Sequence, residues 1–163
     1  MIPVELVGVR VEIPANTPMM LLREQTGQHR LLPIYIRSVE AAAIHDAIDG
    51  TEPPRPLTHD LFIDVLDELG STLEKVLITD CRDHTFYAEL HLITGEMSSV
   101  VSSRPSDAVA LALRCEAPIF VDDDLLNVAG HLPPADDAEQ AEDIIDEFKD
   151  FIEHVSPEDF ATE

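Results

Sequence analysis

The sequence predicts an α+β fold: a mixed, mostly antiparallel sheet with packed helices, followed by an acidic amphipathic C-terminal helix. Three observations predict it. Two trios of strand-like segments, in residues 3–36 and 73–102, are joined by hairpin-length turns. Each trio leads into a stretch with helix-opening chemistry. Beyond the linker His131-Leu-Pro-Pro134, apolar residues recur at helical spacing among acids.

The elements follow in order. Val7, Val9, Val11 and Ile13 alternate with Gly8, Arg10 and Glu12, giving a first strand over 3–13. A second strand over 18–24 turns at Gly27 into a third over 29–36, and Pro33, which has no N–H, makes that third strand an edge or bulged one. Ser38 is placed to cap a helix over 39–49, with Glu40 in its first turn and Gly50 ending it. A second helix runs from Thr58 to Gly70, and Leu61, Val65 and Leu69, supported by Phe62 and Leu66, form its expected core face. Strands over 73–80, 85–93 and 97–102 come next, with Phe86, Ala88, Leu90 and Leu92 on one face of the middle one. Pro105 opens a helix over 105–115 at a position where a missing N–H does no harm. A short strand, Pro118–Val121, and a short helix, Asp122–Gly130, complete a domain over 1–130. In the remainder, 131–163, Ile144, Ile145, Phe148, Phe151, Ile152 and Val155 form a stripe too wide for an isolated helix in water. That helix is expected to dock on the domain or on a second subunit, the latter making a homodimer or higher homo-oligomer.

Composition narrows the function. With 163 residues and 45% apolar content, the chain has enough material for one buried core. No apolar run approaches a membrane span of roughly 18–20 residues. The N-terminus shows neither a basic region nor a small-residue cleavage site, so the expected location is cytoplasmic. Cys81 and Cys115 lie in no Cys-x-x-Cys pattern and read as free thiols. The net charge of −23 is uneven: residues 122–163 hold 15 acids and one base, and residues 1–121 hold 18 acids and nine bases. Neither part has the basic footprint of a protein that grips nucleic acid by broad counterion release. Chemistry on a polyanion would need a local basic site or metal ions.

Two segments echo each other, Arg55-Pro56-Leu57-Thr58-His59-Asp60 and Arg104-Pro105-Ser106-Asp107. Proline, hydroxyl and acid at a helix start are ordinary capping chemistry. Capping does not require an arginine before each proline, so the two arginines are candidate anion contacts.

Six stretches in register carry a resemblance: Leu32-Pro-Ile-Tyr-Ile36, Glu40-Ala-Ala-Ala-Ile44, Arg55-Pro-Leu-Thr-His-Asp-Leu61, Thr85-Phe-Tyr-Ala88, Arg104-Pro-Ser-Asp-Ala108 and Pro118-Ile-Phe-Val121. Together they resemble the bifunctional nuclease domain, over about residues 3–130. The resemblance implies a mixed α+β fold and hydrolysis of both RNA and DNA. The chain departs from the family pattern at Arg37, where glycine is usual; this cation beside Glu40 is placed either to contact phosphate or to pair with Glu40.

A nuclease needs a nucleophilic water, stabilisation of the phosphorane charge and help for the leaving oxygen. The candidate catalytic residues are His59, Asp60 and Asp107. Arg55, Arg104 and Arg37 are the candidate substrate clamps, and Glu40, Asp60 and Asp107 the candidate ligands of Mg²⁺ or Mn²⁺. The bland reading stands beside this one: Asp60 and Asp107 are also where helix-start acids belong, and His59 and Asp60, neighbours on a helix, point about 100° apart. His45 reads as a packed residue and His84 as a solvated turn residue. The alternative function is a non-catalytic regulatory module that holds an anion or a protein on the two Arg-Pro loops. Either way, Arg55 and Arg104 are expected to share one concave site with Asp60 and Asp107.

Overall fold

The computed structural model describes residues 1–12, 14–51 and 53–133. The expected C-terminal helix and its apolar stripe lie outside the described residues.

The first meander consists of β1 (Ile2–Glu12), β2 (Thr17–Glu24) and β3 (Leu31–Tyr35), the second of β4 (Ser71–Arg82), β5 (Thr85–Thr94) and β6 (Met97–Ser103). After the first come helices α1 (Ser38–Ile48) and α2 (Thr58–Glu68); after the second come α3 (Pro105–Cys115), strand β7 (Ile119–Val121) and helix α4 (Asp123–Ala129). All seven strands form one sheet in the order β3-β2-β1-β7-β4-β5-β6. The three-residue β7 joins the meanders, antiparallel to β1 with Ile2 opposite Val121 and parallel to β4 with Val76 opposite Ile119. The sheet is therefore mixed, and the α+β fold expected from the sequence is the one formed.

The core lies between one sheet face and the helices. Met20, Leu22, Leu32, Val76 and Ile78 from the strands meet Ile44 of α1 and Val109 of α3, all essentially inaccessible to water. Small side chains allow this close approach: Ala108, Ala110 and Ala112 of α3 are buried, as expected of a helix that is apolar nearly all round. β3 is an edge strand, one of the two forms that Pro33 allowed. Phe86 packs against the core on the same side as buried Ala88, Leu90 and Leu92.

Three local expectations change. A bulge between Leu6 and Gly8 interrupts the β1–β2 register, and Gly8 adopts φ 151°, which side chains disfavour. The alternation shifts there, so Val4 is buried while Val7 and Val11 are exposed. In α2 only Leu66 is buried; Leu61, Phe62, Val65 and Leu69 face outward. Ser38 is the first helical residue of α1 and not its cap, which is Arg37.

Candidate active site

Both meanders deliver a helix from their third strand, and the two helix starts share an arginine N-cap and an acid as third helical residue. In α1 the N-cap is Arg37 and the third helical residue is Glu40; in α3 they are Arg104 and Asp107. The structural echo is thus between Arg37-Ser-Val-Glu40 and Arg104-Pro-Ser-Asp107, and the sequence pairing of Arg55 with Arg104 missed it. Each arginine folds back on its own acid. The Nε of Arg37 donates to Glu40 Oε1 at 3.1 Å, and the Nε and Nη2 of Arg104 donate to Asp107 at 2.7 and 2.8 Å.

The two pairs are cross-linked, because Arg104 Nη1 also donates to Glu40 Oε1 at 2.6 Å. The third helix joins through His59 Nε2, 3.3 Å from Asp107 Oδ1. The result is a relay, Arg37–Glu40–Arg104–Asp107–His59, that joins the starts of α1 and α3 and reaches the first turn of α2. None of these helices has a side-chain cap accepting from its first turn. Their positive ends and uncapped N–H groups favour an anion at this point.

Burial tunes the relay. The Glu40 side chain is 6% exposed, against 77% for Arg37 and 55% for Arg104. Hydrogen bonds from Arg37, and then from Arg104, outweigh the cost of burial and hold the Glu40 carboxyl down at about 2. Asp107 and Glu40 conversely raise the Arg104 pKa, so it stays cationic. Three of the five N–H groups of Arg104 are committed to these carboxylates, leaving two for a ligand.

Arg37, Glu40 and Arg104 line a recess of about 250 Å³. Tyr35 from the end of β3 and Phe86 from β5 form its aromatic wall. His84 also lines it, from the β4–β5 hairpin, where Asp83 and His84 take φ of 47° and 60°. That conformation marks a tight hairpin turn without glycine. The turn was legible in the sequence; its approach to the arginines was not, because the third strand and the hairpin are some fifty residues apart.

The remaining candidates lie elsewhere. Asp60 is a brace: one oxygen accepts from the Leu57 N–H at 2.8 Å and the other from Arg114 Nε at 2.6 Å. Arg114, which the sequence reading did not single out, is 11% exposed and also donates to the carbonyls of Ala43 and Ala110, tying α1, α2 and α3 together. Asp60 lines a separate shallow hollow with Pro56 and Asp64. Arg55 is exposed in the connector before α2, forms no ion pair among the described residues, and does not line the Arg37–Arg104 recess. Of the four residues expected in one site, Arg104 meets Asp107, Asp60 pairs with Arg114, and Arg55 is not among the residues lining the recess. His45 is exposed and pairs with Asp49 at 2.9 Å, so it is not a packed residue.

The donor set does not fit a resident divalent ion. Glu40, Asp60 and Asp107 are each engaged by an arginine, and no three His, Cys, Asp or Glu side chains among the described residues converge on one point.

A seven-stranded mixed sheet carrying an arginine–carboxylate relay at the starts of α1 and α3 defines an α+β domain, and comparison with known proteins gives it a family. The chain matches the bifunctional nuclease domain over residues 20–133 and belongs to that family. An uncharacterized protein of Mycobacterium tuberculosis is 48% identical over 162 residues, 96% of each chain. Bifunctional nuclease 2 of Arabidopsis thaliana is 31% identical over 105 residues, covering 63% of this chain and 32% of that protein. Bifunctional nuclease 1 of the same plant is 30% identical over 110 residues. This chain spans about a third of the plant relatives' length. None of its described helices is long and apolar enough to cross a membrane.

Proposed function

We propose that the chain hydrolyses phosphodiester bonds in RNA or DNA with low sequence specificity, binding the scissile phosphate at the Arg37–Arg104 recess. The observation that carries this reading is the cross-linked pair Arg37–Glu40 and Arg104–Asp107 where α1 and α3 begin, with His59 of α2 against Asp107. Both guanidinium groups keep unused N–H donors facing solvent, and preorganised donors stabilise the charge that develops on a phosphorane. Glu40 and Asp107 hold Arg104 in place before substrate arrives, so little reorganisation is needed on binding. His84, lining the recess, is the candidate proton carrier there, and His59, held by Asp107 and outside the lining, acts on the site through Asp107 and Arg104. No step here passes through a metal; Mg²⁺ and Mn²⁺ are variables of the assay.

The test is cleavage of labelled RNA and DNA by the purified full chain, with Mg²⁺, with Mn²⁺ and with a chelator. Arg104→Ala should lower turnover by about 10²–10³-fold, the loss typical of one oxyanion-stabilising donor. An inactive wild type under all three conditions, or an Arg104→Ala variant of full activity, overturns the proposal. The second reading is a non-catalytic anion- or protein-binding regulatory module. It draws on the full pairing of the relay carboxylates with arginines, and binding without cleavage would select it.

A further inference from the structure

The recess holds more than cations, and its composition bears on which form of nucleic acid enters it. Tyr35 is 56% exposed at the end of edge strand β3, two residues before Arg37, and lines the same wall as Phe86. An exposed aromatic ring at the lip of an arginine-lined recess is a stacking platform for a base. The rest of the molecule offers little to a phosphate backbone, since nine bases face 18 acids in residues 1–121. Arg23, Arg30, Arg82 and Arg114 are committed to carboxylates at Glu5, Glu24, Asp80 and Asp60, which leaves Arg10, Arg55 and Lys75 as the cations of this stretch outside the recess.

A duplex-binding surface works differently: it typically neutralises about 6–10 phosphates and draws most of its affinity from them. Two recess arginines cannot supply that. Binding must then come from the bases, and a base offers its face to an aromatic ring only when it is unpaired and unstacked. The recess, about 250 Å³ in volume, also suits one nucleotide unit better than a continuous helix surface.

We infer that the recess takes single-stranded nucleic acid, with one base stacked on Tyr35 and the adjoining phosphate on Arg37 and Arg104. This rests on the nuclease reading above and names its substrate form. Phe86 backs the site from the sheet side.

The experiment is fluorescence anisotropy of the full chain, in chelator, with three probes. These are a labelled single-stranded oligonucleotide, the same strand in a duplex, and the same strand with abasic sites at its centre. Single-stranded binding should exceed duplex and abasic binding by about 5- to 160-fold, from a stacking contribution of about 1–3 kcal/mol per base. Tyr35→Ala should erase that advantage and Tyr35→Phe should keep it. The slope of log K against log salt should be shallow, about −1.4 for two phosphate contacts to a single strand. Equal affinity for duplex or abasic strand, or an unaltered Tyr35→Ala variant, overturns the inference and leaves the nuclease reading standing. Failure of all three probes to bind removes the nuclease reading itself, and this inference with it.

Discussion

Glu40 shows how a single residue can tie stability to the site. It is a nearly inaccessible carboxylate between two arginines, and its pKa falls from an ordinary 4.5 to about 2. A carboxyl whose pKa is lowered on folding stabilises the native state above its unfolded value, and that stabilisation is lost as pH falls through the folded value. Urea unfolding should accordingly show stability declining between about pH 4.5 and pH 2, and Glu40→Gln should flatten the decline. Asp60 is also shifted down, first by Arg114, and contributes to the same acid limb. Its brace predicts a separable phenotype. Arg114→Ala should destabilise the fold by about 1–3 kcal/mol in urea unfolding, because it leaves Asp60 and two carbonyls without their donor. Recess affinity for a single-stranded oligonucleotide should change far less than in Arg104→Ala.

At the scale of elements, α2 is the informative case. Its apolar spacing is as regular as that of any core helix, yet Leu61, Phe62, Val65 and Leu69 are exposed and Leu66 is buried. A helical period shows that apolar residues share a face; it does not show which neighbour covers that face. The packing predicts unequal costs. Leu66→Ala should lose about 2–5 kcal/mol by thermal or urea unfolding, the range for emptying a core site. Leu61→Ala and Val65→Ala should each stay within about 0.5 kcal/mol, as exposed substitutions do. Equal losses at all three positions would mean that α2 is turned differently on the domain.

For the whole molecule the dominant quantity is the −23 charge. Self-repulsion at this density weakens the compact state. Salt screens it over about 10 Å at 0.1 M, so melting temperature should rise between ~10 mM and ~300 mM NaCl, as read by calorimetry. Binding of a polyanion should respond in the opposite direction, weakening with salt, because its recess arginines are screened. The mixed sheet explains how so acidic a chain brings two arginines into one recess: two similar meanders, joined by β7, bring their third strands' helices to one place, and each helix starts with an arginine.

The order of the strands and helices through residue 130, and their bounds to within about two residues, were legible from the sequence alone. Alternation, glycine and proline punctuation and helix-opening residues act within a few positions of one another. Pro33 left β3 as an edge or bulged strand, of which the sheet takes the first, and the family followed from six motifs in register. Tertiary structure decided the rest. β7 has three residues and no local mark of being central, yet it unites both meanders because β1 and β4 each leave a row of backbone groups to be paired. Arg37 and Arg104 lie 67 positions apart and share Glu40 through the way the sheet brings α1 and α3 together. Arg55, with an Arg-Pro start matching that of Arg104, stays outside, and Arg114, with no motif to mark it, became the brace. Local residue chemistry determines where an element begins and ends. Which of its charged groups meet depends on long-range pairing energies that no short window of sequence contains.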